Sequence, residues 1–143
     1  MSEQSRRLAG LLLVLLPTVI LGGASILAMI DDPAYRDNEL RQDLWRAGHA
    51  HAGVLLILAL VALRYVDEAR LGARGKSFVR HSIPAAAILL PVAFFLSVTS
   101  AEATEPNALI SLAYAGAVVL TGGLITLGIG LIRHPGEEPS AVP

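Results

Sequence analysis

The chain has 143 residues, of which 54% are hydrophobic and only 16% charged, and its formal net charge is −1. Soluble domains carry about 25% charged residues, so a mean hydropathy of +0.61 excludes the soluble enzyme folds. The near-neutral charge, with no basic segment, excludes a nucleic-acid binder. The absence of cysteine excludes disulfides, a thiolate nucleophile and a zinc ribbon.

Charges avoid four long runs: Leu8–Ile30, Ala47–Leu63, Ser82–Ala101 and Ala108–Ile132. Their lengths are 23, 17, 20 and 25 residues, against the roughly 17–25 apolar residues that carry a helix across a bilayer. The chain therefore reads as an all-α integral membrane four-helix bundle, with spans over about 8–30, 44–66, 81–101 and 107–132. The first run follows Arg6–Arg7 but is too long for a signal-peptide core and ends in a poor cleavage site, Met29-Ile30-Asp31-Asp32-Pro33. It reads as a retained span, with Pro17 as a mid-span kink or break. Between the first two spans, Asp37 or Asn38 can cap a helix that starts before the membrane, because Leu40, Leu44 and Ala47 recur at helical spacing. Trp45 then falls at headgroup level. Pro84 is read in or near the first turn of the third span and Pro91 in its middle, where it bends the helix. A short turn with Pro106 makes the third and fourth spans antiparallel neighbours. The proline-bearing tail, residues 135–143, reads as disordered.

Placing the N-terminus inside puts Arg6, Arg7, Arg64, Arg70, Arg74, Lys76, Arg80 and Arg133 on the cytoplasmic side. Only Arg36, Arg41 and Arg46 are then outside, as the positive-inside rule requires. The expected location is the plasma membrane, multi-pass, with both termini cytoplasmic.

Helices in lipid associate through close packing and interhelical hydrogen bonds. Gly122, Thr126 and Gly130 form a small-residue ridge on the fourth span, and Thr18, Gly22 and Ser25 a similar face on the first. Either can serve intramolecular packing or dimerisation.

The least ordinary segment is Leu44-Trp45-Arg46-Ala47-Gly48-His49-Ala50-His51-Ala52-Gly53. Two imidazoles just inside an apolar boundary are functional candidates. Residues two apart on a helix point about 200° from each other, so His49 and His51 do not share one metal. Gly48 and Gly53 leave room for a second helix or a flat cofactor. Ser25, Ser97, Ser100, Glu102, Asn107, Ser111 and Tyr114 lie at the same depth, whereas the inner half offers almost nothing similar. This outer polar cluster, with Glu102 as a candidate metal ligand, is a candidate ligand, proton or cofactor site. The alternative is that its hydroxyls bond across helices for stability alone. His81 and His134 lie at the inner surface, about 30 Å away, and take no role in that cluster.

The Arg46–Gly53 stretch, Arg-Ala-Gly-His-Ala-His-Ala-Gly, resembles the histidine-bearing helix of the haem–copper oxidase and nitric oxide reductase large subunit. That resemblance implies an axial haem ligand near the outer face. The family has twelve helices and further histidines, so a bis-histidine haem b here would need His49 from each chain of a dimer, or a partner. The whole chain also resembles small four-span membrane proteins of high-GC actinobacteria with a similar Leu-Trp-Arg-Ala-Gly-His-Ala-His-Ala segment. That likeness implies location and topology but no activity.

Three functions are consistent with these features. The first is a scaffold or accessory subunit of a membrane complex, with the bilayer and a homodimer or larger assembly as partners. The second is a haem- or metal-binding redox protein using His49 or His51, with haem b or a transition metal as cofactor. The third is a proton-coupled or small-solute transporter working as an oligomer, although no charge lies near the midplane. No residue is assigned a catalytic role.

Overall fold

Ser2 starts the first helix. Its backbone is extended and its Oγ accepts the Ser5 N–H at 3.3 Å, satisfying one of the donors a helix start leaves free. The structure is a computed structural model that describes residues 1–133. It contains α1 (Glu3–Ala28), the short α2 (Pro33–Arg36), α3 (Glu39–Tyr65), α4 (Ala73–Ser97) and α5 (Ser111–Ile132), the last entered through a 3-10 turn at Ala108–Ile110. No strand occurs among the described residues. Asp32 caps α2 ahead of Pro33, Asn38 caps α3, and Asn107 caps the 3-10 turn. Each is a short polar side chain suited to accept an orphan N–H.

Among the described residues four helices are long and apolar enough to cross a membrane: Glu3–Ala28, Glu39–Tyr65, Ala73–Ser97 and Ala108–Ile132. Sequence neighbours run antiparallel. Val19 of α1 lies beside Gly53 of α3, and Gly22 and Gly23 lie beside His49. On the other side of α3, Gly48 meets Phe94 and Phe95 of α4, and Asp67, just past the helix end, meets Arg80. Leu90 of α4 faces Gly116 of α5, and Ser82 and Ile83 face Gly123.

The bundle is open. α4 packs against both α3 and α5, α1 packs mainly on α3, and α1 and α5 do not touch. Half of the apolar span of α4 is buried, against 6% of that of α1. The core is therefore the α3–α4 seam, with Leu55, Ala59, Leu63, Ile83, Ala87 and Leu90 closing it. Outward residues of α1 and α5 stay apolar, as at Val14 and Val118, which suits contact with lipid rather than water.

Several expectations change. α4 begins at Ala73, about two turns before the expected span start at 81, so Pro84 is a buried interior residue and not a first-turn proline. The helix extends that far because Arg80, which as a free charge would mark a membrane boundary, is paired inside the protein. Pro17 does not interrupt α1. The small face of α5 that packs inward is Gly116 and Gly123, against α4, and Gly130, against Leu71 and Ala69 of the α3–α4 connection, each two helical turns from the next, with Gly122 and Thr126 at its edge and only half-buried. Seven-residue spacing keeps the three glycines on one face, and a Cβ at Gly123 would overlap Ser82 Oγ and lie 2.9 Å from Ile83 Cγ1. On α1, Thr18 and Ser25 are exposed, while Gly22 faces His49. The tail expected to be disordered, with His134 before it, lies outside the described residues.

Candidate functional site

His49 sits where α1, α3 and α4 meet. α3 carries it one turn past Trp45, and its ring lies against the backbone of Gly22 and Gly23, where any larger residue on α1 would displace it. A Cβ on Gly23 would stand 3.0 Å from Cε1 and 3.1 Å from Nε2. On one side of the ring is a groove of about 280 Å³ lined by Thr18, Ala52, Leu56, Ala87, Pro91 and Phe95, among others. On the other side is a shallower recess bounded by Gly23, Ile26, Leu27 and Arg46. Among the described residues neither ring nitrogen of His49 has a protein hydrogen-bond partner, whereas the other imidazoles of the helices, at His51 and His81, bond their own backbone. Pro91 has no N–H to give the Ala87 carbonyl four residues earlier, and both residues line the groove.

His51 turns away, as the two-residue spacing requires. Its Nδ1 lies 2.7 Å from the Ala47 carbonyl and so carries the proton, and its exposed ring packs against Phe94, with centroids 5.1 Å apart. Gly48 and Gly53 face Phe94 and Phe95 on α4 and Val19 on α1 respectively, so the space beside them is taken by neighbouring helices and not by a flat cofactor.

The remaining polar candidates are not drawn together. Ser25 Oγ donates to the Leu21 carbonyl, Ser97 Oγ to Phe94, and Ser111 Oγ to Ala108, each within its own helical turn. Asn107 ties the start of α5 to the end of α4 through Nδ2–H to the Leu96 carbonyl and its own N–H to Ser97. Tyr114 is 72% exposed. Glu102 accepts from Ser100 Oγ in the α4–α5 connection, and the recess it lines is shared with Asp37, Asn38 and Glu39, not with His49. The Ser100 hydroxyl, the Glu102 backbone N–H and the more distant Arg41 hold its carboxyl below the usual range.

No group of three His, Asp or Glu able to hold a metal ion exists among the described residues. His49 lacks a second ligand in its groove and His51 points elsewhere. The described residues of one chain therefore do not fit a metal centre or a bis-histidine haem.

Two polar assemblies escaped the sequence reading. Trp45 is not an isolated interfacial ring: it lies edge-on to Phe95 at 5.7 Å, beside Tyr35 at 6.2 Å and under the Arg41 guanidinium at 5.1 Å. Tyr35 Oη, Trp45 Nε1 and Arg41 Nε are buried there without a protein partner. Their donors add polar character to a part of the molecule that is otherwise packed through aromatic faces.

The second assembly is at the opposite end, where almost no polar constellation was expected. Buried Arg80 donates to Asp67 Oδ1 at 2.5 Å, to Ser5 Oγ at 3.0 Å, and to Gln4 and Ser2 at 3.3 Å each. The Ser2 backbone N–H reaches the other Asp67 oxygen at 2.6 Å, and Lys76 Nζ donates to the Asp67 carbonyl at 2.8 Å. Burial would raise the Asp67 carboxyl, but the Ser2 N–H, the Arg80 guanidinium and the Ser5 and Ser2 hydroxyls outweigh it and hold it well below the usual carboxylate range. The available signal was helical spacing: Arg80, Ile83 and Ala87 share one face once the helix is started at Ala73. This knot fixes the start of α1 to α3 and α4; nothing in it is left free to react.

No protein-family model matches the chain, and comparison with curated proteins and with solved structures finds no match.

Proposed function

We propose that this chain is a small polytopic plasma-membrane protein that serves as a scaffold or accessory subunit of a membrane complex, with both termini in the cytoplasm. The observation that carries this reading is the open bundle. α1 is attached along α3 and through the Arg80–Asp67 knot, and it presents an apolar flank that no other helix among the described residues covers. A helix held at its start and along one side, and bare along its outer flank, is suited to receive a partner helix. The cytoplasmic placement of the termini rests on the charge count, eight basic residues against three.

A photo-crosslinking side chain placed at Val14 on α1 or at Val118 on α5 tests it in intact cells, since both positions are outward and uncovered. The reading expects one discrete, saturable protein adduct from Val14 and a different pattern from Val118. Adducts to lipid alone from both positions, or to a second copy of this chain alone, would replace it with a free-standing protein.

A further inference from the structure

We infer that the α1–α3–α4 groove is a binding site for an anionic phospholipid, with the headgroup at Arg46 and His49 and one acyl chain along the groove. This proposal is independent of the subunit reading above.

Charge complementarity comes first. Three arginines stand at this end of the molecule. Arg36 is paired with Asp37 at 2.8 Å, and Arg41 donates to the Ala34 carbonyl and lies over Trp45 with Glu102 nearby. Neither Arg41 nor Arg46 forms an ion pair among the described residues, but Arg41 is engaged by the carbonyl and the ring, whereas the Arg46 guanidinium bonds only the neutral Gln42 side chain, at 3.1 Å. It borders the same recess as His49, whose ring separates that recess from the groove. A cation and an unengaged imidazole therefore meet at the groove's mouth, where a phosphodiester would find a charged donor and a second polar contact.

The groove's shape completes the argument. Below His49 the lining is apolar, through Val19, Leu56, Ile88 and Val92. From Arg46 to Leu56 along α3 the rise is about 15 Å, half of the roughly 30 Å hydrocarbon core. One lipid acyl chain spans that depth, so a lipid standing in its own leaflet brings its phosphate to Arg46 without leaving the bilayer. A partner helix would run on past Leu56 and has no use for an unpaired cation at one end.

Trp45, the single tryptophan, reports on this site, because its ring contacts Phe95 and Phe95 lines the groove. The purified chain is reconstituted in phosphatidylcholine vesicles containing rising fractions of chain-brominated phosphatidylglycerol or chain-brominated phosphatidylcholine. Tryptophan quenching is then read. The expected result is half-maximal quenching at a several-fold lower fraction of the anionic lipid. Arg46→Gln should remove that preference without altering the far-UV spectrum, and Ala52→Leu, which fills the groove, should weaken quenching by both lipids. Equal quenching by the two lipids would overturn the proposal, as would a preference that survives Arg46→Gln.

Discussion

The imidazole of His49 rests on the backbone of Gly23, two helices meeting through a ring and a missing side chain. With 3.0 Å to a would-be Cβ, the contact leaves no room for a branched residue. Gly23→Val should therefore push α1 off α3 and cost about 1–3 kcal/mol, the usual range for overpacking. Gly10→Val, on the same helix with nothing within 4 Å, should cost far less. Thermal unfolding in detergent compares the two, and equal losses would remove the His49 contact as an organising feature.

Asp67→Asn should be more damaging than its conservative look suggests. It leaves Arg80, with a side chain only 10% exposed, as a buried cation without its counter-ion, a change that costs roughly 3 kcal/mol or more. The double variant Asp67→Leu, Arg80→Met should recover much of that loss, since removing both charges also removes the desolvation cost. Protease sensitivity of the first ten residues or so, which the knot secures, is the second readout.

The same pair sets a pH dependence. Because the folded Asp67 carboxyl titrates below its unfolded value of about 3.9, its contribution to stability is complete above that value and is lost as pH falls below it. The melting temperature should be insensitive to this pair from about pH 8 to pH 5 and decline below about pH 4. In Asp67→Asn the part of the decline due to this group should be absent.

Asn38 does two things that different substitutions separate. Its Oδ1 accepts the Arg41 N–H at 3.0 Å, capping α3, and its Nδ2 donates to the Ala101 and Ala103 carbonyls at 2.9 and 3.0 Å, tying the α4–α5 connection to α3. Asn38→Asp keeps the cap but has no donor for the carbonyls. Asn38→Ala loses both and should cost about 1 kcal/mol more than the aspartate for the cap alone. Hydrogen exchange across residues 98–107 should accelerate in both variants. An unchanged connection in the aspartate variant would show that the tether does not hold it.

Since the chain has no cysteine, single-cysteine variants report sidedness cleanly. Thr104→Cys, in the α4–α5 connection, should react with an impermeant maleimide added outside intact cells, and Arg74→Cys, at the start of α4, only after lysis. The reverse pattern would invert the orientation and place the His49 groove in the inner leaflet.

The helices are legible in the sequence because bilayer-length apolar runs have few alternative explanations, and so are a cap at Asp37 or Asn38, of which the structure uses Asn38, and the divergence of His49 from His51, which follow from local geometry. The start of α4 was not legible. A run bounded by charge places the boundary at Arg80, and only the partner 13 positions earlier, Asp67, shows that this charge is internal. The packing face of α5 is open in the sequence for a related reason: with thirteen glycines in the chain, small-residue spacing fits more than one helical face, and the packing partners on α4 and in the α3–α4 connection select among them.

Hydroxyl clustering misled in the opposite sense. Residues at one depth suggest one site, yet each hydroxyl of Ser25, Ser97 and Ser111 can reach a carbonyl in its own turn, and does. The amino-acid order alone determined which segments are helical and apolar, because those properties are set by residues within a few turns of each other. Which polar groups meet, that α1 and α5 stay apart, and that His49 opens onto a groove were decided only in three dimensions. Such contacts join residues tens of positions apart, and no local pattern in the chain encodes their rotation about the helix axes.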